Sequence, residues 1–123
     1  MERAIGIGGF FFLADDPGSL SRWYEANLGV TPVPQAYDAP VWIQEEGATV
    51  FAPFAREQAS APPLGAAGWG INFRVRDLDT MVAQLRANGI EVEVDPGEYP
   101  NGRFAQLHDP EGNAVQLWEP AGA

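Results

Sequence analysis

The stretch Gly70-Ile71-Asn72-Phe73-Arg74-Val75-Arg76-Asp77 decides the fold, because the chain writes the same pattern twice. Residues alternate from Gly70 to Arg76 as they do in a strand, and Asp77 then stands where a helix needs an acceptor for its free amides. Leu78, Met81, Val82 and Leu85 follow on one helical face, and Gly89 stops it. In the first half, the apolar segment Ile5 to Ala14, with Phe10-Phe11-Phe12-Leu13 at its centre, reads as a strand. Asp16-Pro17 opens a helix carrying Leu20, Trp23, Tyr24 and Leu28, and Gly29 closes it. Asp16 maps onto Asp77 with a shift of 61 and Gly29 onto Gly89 with a shift of 60.

Short strands follow each helix. In the first half they are expected near 31–34, 41–45 and 48–53, with Gly47 at a tight turn. In the second they are expected near 90–94, 103–108 and 113–118, joined through the hairpin composition Asp109-Pro110-Glu111-Gly112. Each half is then β-α-β-β-β: module one at about 4–54, module two at about 68–120, and an exposed Ala- and Pro-rich connector at 55–67. The fold class is α+β, a single domain over 1–123 with curved half-barrel sheets and helices outside.

Composition removes whole classes of function. The chain has no cysteine, so thiol nucleophiles, thiolate metal sites and disulfides are excluded. All seven basic residues are arginine, which excludes a Schiff-base lysine and a phosphate-loop lysine. A single histidine, His108, cannot build a zinc site of two or three imidazoles within one chain. The net charge of −10 argues against nucleic-acid or anionic-membrane partners, and mildly for cationic ligands. No apolar run reaches the roughly 20 residues of a membrane helix, and no signal-like start is present. A cytoplasmic protein is expected.

The tandem β-α-β-β-β pair resembles the vicinal oxygen chelate superfamily of glyoxalases, bleomycin-resistance proteins and extradiol dioxygenases. Asp16-Pro17 with Trp23-Tyr24 and Leu28-Gly29 is similar to that family's first helix. Asp109-Pro110-Glu111-Gly112-Asn113 with Leu117-Trp118-Glu119-Pro120 is similar to its closing hairpin and last strand. The resemblance implies four metal-ligand slots, on the first and last strand of each module. They fall on Gly9, Phe51, Gly70 and Gln116. Two glycines and a phenylalanine offer no side-chain donor, and one neutral amide competes poorly for a hard cation. No cofactor and no catalytic metal are therefore expected.

Alternation from the slots turns Phe11, Leu13, Asn72, Arg74 and, at the strand's end, Arg76 inward, with Thr49, Phe51, Ala114, Gln116 and Trp118. The expected ligand-binding set is Phe11, Trp42, Phe51, Asn72, Arg74, Gln116 and Trp118: aromatics to stack, amides to orient a carbonyl or hydroxyl, and a guanidinium for an anionic group. Each has a plainer alternative. The aromatics can be core, Asn72 and Gln116 can satisfy each other, and Arg74 can pair with a structural acid. His108 reads better as a surface strand end than as a base, Tyr99 and Asn101-Gly102 as an ordinary turn, and Glu45-Glu46 and Glu91/Glu93 as solvated strand faces. Catalytic residues are not identifiable. Two functions remain open: a small-molecule binding module, similar to metal-free resistance members that trap aromatic or glycopeptide-like compounds between two subunits, and a metal-dependent lyase, isomerase or dioxygenase. A homodimer is expected, because open half-barrels leave apolar sheet edges to cover.

Overall fold

A computed structural model describes residues 1–122. Helix α1 runs Pro17–Leu28, capped by the Asp16 carboxylate, which accepts from the Ser19 amide; Gly29 closes it at φ 71°. A short 3-10 turn at Arg56–Gln58 lies in the connector. Strand β1 (Ile71–Arg74), helix α2 (Leu78–Ala87) and strands β2 (Glu93–Val94), β3 (Gly102–His108) and β4 (Ala114–Pro120) follow. Asp77 caps α2 through the Thr80 amide as Asp16 caps α1, so the two acid-led helix starts are equivalent in structure as in sequence.

The four strands form one mixed sheet in the order β1-β4-β3-β2, with β1 parallel to β4 and the other pairs antiparallel. This is the β-α-β-β-β unit expected of the second half. One face of the sheet is dry. Ala105, Leu107, Val115 and Leu117 pack there against Leu78, Val82 and Leu85 of α2. Leu20 and Tyr24 of α1 join the same core, so the first helix is built into the second module. Asn88 donates to Asn27 at 3.0 Å where the two helices end.

The first half departs from expectation. Among the described residues, none of 5–14, 31–34, 41–45 or 48–53 forms a hydrogen-bonded strand. Residues 5–13, 41–45 and 48–53 are exposed, whereas Thr31, Pro32 and Pro34 are half-buried. A strand is completed by its neighbour's N–H and C=O groups, and this chain supplies a ladder only to its second half. Phe10 and Phe12 do not pack beneath a helix as alternation predicts; both rings rest on Trp69, at centroid distances of 5.1 Å. Phe73 does face a helix, 6.1 Å from the Tyr24 ring.

Candidate functional site

The second sheet face gathers polar and aromatic side chains. On adjacent strands, side chains in register on one face stand about 5 Å apart. Asn72 is in register with Gln116, Gln116 with Gln106, and Gln106 with Glu93. The polar row Asn72–Gln116–Gln106–Glu93 thus crosses all four strands. Two residues along, Arg74 is in register with Trp118 and Trp118 with Phe104. The Phe104 and Trp118 rings are parallel to within 5°, centroids 6.3 Å apart, and Tyr99 lies 6.0 Å beyond Phe104. An aromatic row therefore lies beside an amide row.

Hydrogen bonds fix both rows. Asn72 Nδ2 donates to Gln116 Oε1 at 2.7 Å, which leaves the Asn72 carbonyl as acceptor and the Gln116 amide hydrogens as donors to a third molecule. Trp118 Nε1 donates to the Asn101 carbonyl at 2.7 Å, locking the indole plane. Tyr99 donates to the Asp95 carboxylate at 2.9 Å, and that bond raises the phenol's pKa. Arg74 donates to the Glu45 carbonyl at 3.0 Å, while Arg76 pairs with the Glu45 carboxylate. The guanidinium lies where a Cβ on Gly47 would stand, so a side chain there would push Arg74 aside.

Among the expected residues, Asn72, Arg74, Gln116 and Trp118 come together on this face. Trp42 packs instead against Phe73, on the helix side, at 6.1 Å. Phe11 and Phe51 are exposed on the unpaired first half, and neither ring meets another aromatic ring among the described residues. His108 ends β3 at the surface. It borders, with Arg86, Glu91 and Leu107, a groove of 750 Å³ that reaches the polar row at Glu93 and Gln106. Phe104, Gln106 and Glu93 join these rows without having been expected there. Their signal was the even spacing along the hairpin from Asp109 to Gly112, which places Gln106 opposite Gln116 and Phe104 opposite Trp118.

The four slots implied by the family resemblance do not suit a metal. A Cβ at Gly70 would lie 2.0 Å from the Pro63 carbonyl oxygen, so backbone fills the space a ligating side chain would need. The Phe11 ring presses on Gly9, and the Gln116 oxygen is taken by Asn72. Among the described residues, no three His, Asp or Glu side chains converge. No step through a metal is derived for this site.

Comparison with known proteins places these observations. Residues 6–117 match the family model described as the Glyoxalase/Bleomycin resistance protein/Dioxygenase superfamily. The chain is 31% identical over 121 residues to the anthracycline biosynthesis protein DauV of Streptomyces sp. (strain C5), covering 92% of this chain and 41% of that protein. It is 33% identical to DnrV of Streptomyces peucetius, also called an anthracycline biosynthesis protein, with the same coverage. The chain thus spans 41% of the length of both curated relatives. Among solved structures it superposes on TnmS3, an antibiotic binding protein from Streptomyces sp. CB03234, with a TM-score of 0.62 at 23% identity, over 98% of this chain and 100% of that one. It matches lactoylglutathione lyase from Agrobacterium tumefaciens at 0.59 and 21%, over 96% of each chain. The two structural likenesses show the fold.

Proposed function

Since the chain belongs to the glyoxalase/bleomycin resistance protein/dioxygenase superfamily, we propose that it uses this fold to bind a flat, polycyclic aromatic small molecule without metal chemistry. The observation that carries the reading is the pair of rows on the open sheet face. Parallel Phe104 and Trp118 rings offer a stacking platform. Beside them, the Asn72–Gln116 pair presents one acceptor and a set of donors, which match a ring carbonyl next to a ring hydroxyl. The anthracycline relatives make such ring systems a reasonable first class to test, though both are longer proteins.

The experiment is calorimetric titration with quinizarin, a planar dihydroxyanthraquinone, using phenol as the small-ring control. Saturable binding of quinizarin is expected. Trp118→Ala should weaken it about tenfold through lost stacking, and Gln116→Leu about fivefold through lost hydrogen bonding. Equal affinity in both variants would move the site elsewhere. Elemental analysis of the purified protein tests the other half of the reading: a stoichiometric divalent metal, lost in Gln116→Ala, would restore the metal-dependent enzyme.

A further inference from the structure

The open sheet face has a charge direction. Its aromatic row starts at Arg74 on β1 and passes Trp118 and Phe104. It ends at Asp95, whose amide donates to the Phe104 carbonyl at 3.0 Å. The polar row beside it ends at Glu93, on the same side. The cation thus lies at the β1 end and both acids at the β2 end, three strand spacings or about 14 Å away. An acidic group on a molecule lying along the rows is drawn to Arg74 and repelled by Glu93 and Asp95.

Arg74 is half-buried, and among the described residues no carboxylate lies within ion-pair distance of it. Its side chain donates instead to a neutral group, the Glu45 carbonyl, at 3.0 Å. The guanidinium is a planar fork of five donors, so most of its N–H groups remain for a carboxylate. The acid that could have taken them is Glu45 itself, whose side chain leaves the same residue. It turns away to Arg76, which stands two residues along the same face, about 7 Å from Arg74 at the backbone. Glu45 therefore holds Arg74 with its carbonyl while Arg76 holds the Glu45 carboxylate off.

We propose that the site selects polycyclic aromatic acids. Arg74 takes the ligand's carboxylate at the edge of the stacked rings, and Arg76 is a positioning residue that keeps Glu45 from neutralising Arg74. The proposal rests on the stacking site described above and adds to it the charge of the ligand and its direction on the face. The Arg76–Glu45 pair is exposed, and exposed pairs are weak. Once Arg76 is removed, the Glu45 carboxylate swings to Arg74 and makes the charge-assisted pair that the ligand would have made. The net charge of −10 works against anionic ligands in general, so a preference for an acid has to come from Arg74.

Rhein and chrysophanol are the probes. They share one dihydroxyanthraquinone ring system, with a carboxylic acid in rhein where chrysophanol has a methyl group. Titrated into the native protein at pH 7, rhein is expected to bind about tenfold more tightly, and added salt should shrink that advantage. Arg74→Gln should bring the two probes to equal affinity. Arg76→Gln should lower the rhein-to-chrysophanol ratio about threefold, and Glu45→Gln in the same chain should bring it back. A ratio taken on one sample is immune to partial unfolding, which scales both affinities alike. A merely structural Arg76 would weaken both probes equally and leave the ratio unmoved, which overturns its positioning role. A lowered ratio without recovery in the double variant does the same. Equal affinities in the native protein, or a rhein advantage that survives Arg74→Gln, overturn the acid selection and leave the stacking site standing. Binding of neither probe, nor of quinizarin, overturns the stacking site and the selection together.

Discussion

Asp109 is the one charged side chain in the dry interior of the described residues, 4% exposed. Its carboxylate accepts from the Tyr24 hydroxyl at 2.7 Å, from the Glu111 and Asn113 amides at 2.9 and 3.0 Å, and from Asn113 Nδ2 at 2.8 Å. Four donors balance the cost of burying it, and they tie helix α1 to the β3–β4 turn. The sequence suggested only a turn at Asp109-Pro110-Glu111-Gly112. That Asp109 also anchors Tyr24, 85 positions away, needs the folded chain. Asp109→Ala leaves a buried hydroxyl and two amides without an acceptor, and should cost about 3–5 kcal/mol, read as a lower urea midpoint. Tyr24 gives a second handle. Burial first, and then the Asp109 carboxylate, raise its pKa well above the ordinary 10.0. A raised folded value means the stabilisation is fully present below pH 10.0 and falls away as pH climbs above it. Tyr24→Phe is expected to flatten that alkaline limb in thermal melts taken across pH 9 to 12.

The helices were the elements most legible in the sequence, because their signals are local: an acid at the N-cap, proline next, apolar residues at helical spacing, glycine at the end. The strands of the second half were legible too, since alternation and a hairpin turn fix their faces. What alternation cannot supply is register across strands. Asn72, Gln116 and Trp118 could be assigned to one face from their own strands, but the row through Gln106 to Glu93 depends on how β3 pairs with β4 and β2. Glu93 read as a solvated face for that reason. At this scale the caps make a pH prediction. The Ser19 amide bond to Asp16, and the Thr80 amide bond to Asp77, hold both carboxyls below the ordinary 3.8. Their stabilisation is therefore present above pH 3.8 and is lost as pH falls through the lower folded values. Asparagine still accepts at an N-cap but does not titrate. The double variant Asp16→Asn/Asp77→Asn should keep its melting temperature at pH 7 and lose less of it than the native protein between pH 4 and 2.

At the scale of the whole molecule, the first half shows where sequence reading met its limit. Its run Phe10-Phe11-Phe12-Leu13 is apolar on both faces of an extended chain, yet these residues stay unpaired in a single chain. A hydrophobic pattern specifies that a face will be covered, not which chain covers it. The homodimer expected from the sequence would make folding and association one process, and that predicts a thermal signature. For a dimer of two 123-residue chains, a tenfold dilution removes about 1.4 kcal/mol from the unfolding free energy of the pair. With an unfolding entropy of about 2.1 cal/mol/K per residue, this lowers the melting temperature by about 3 °C. Calorimetry from 1 to 100 μM should therefore show a rise of about 5 °C. A self-sufficient single chain would melt at one temperature throughout that range. Phe11→Asp/Leu13→Asp, which charges the bare face, should lower the melting temperature at high concentration and abolish its dependence on dilution.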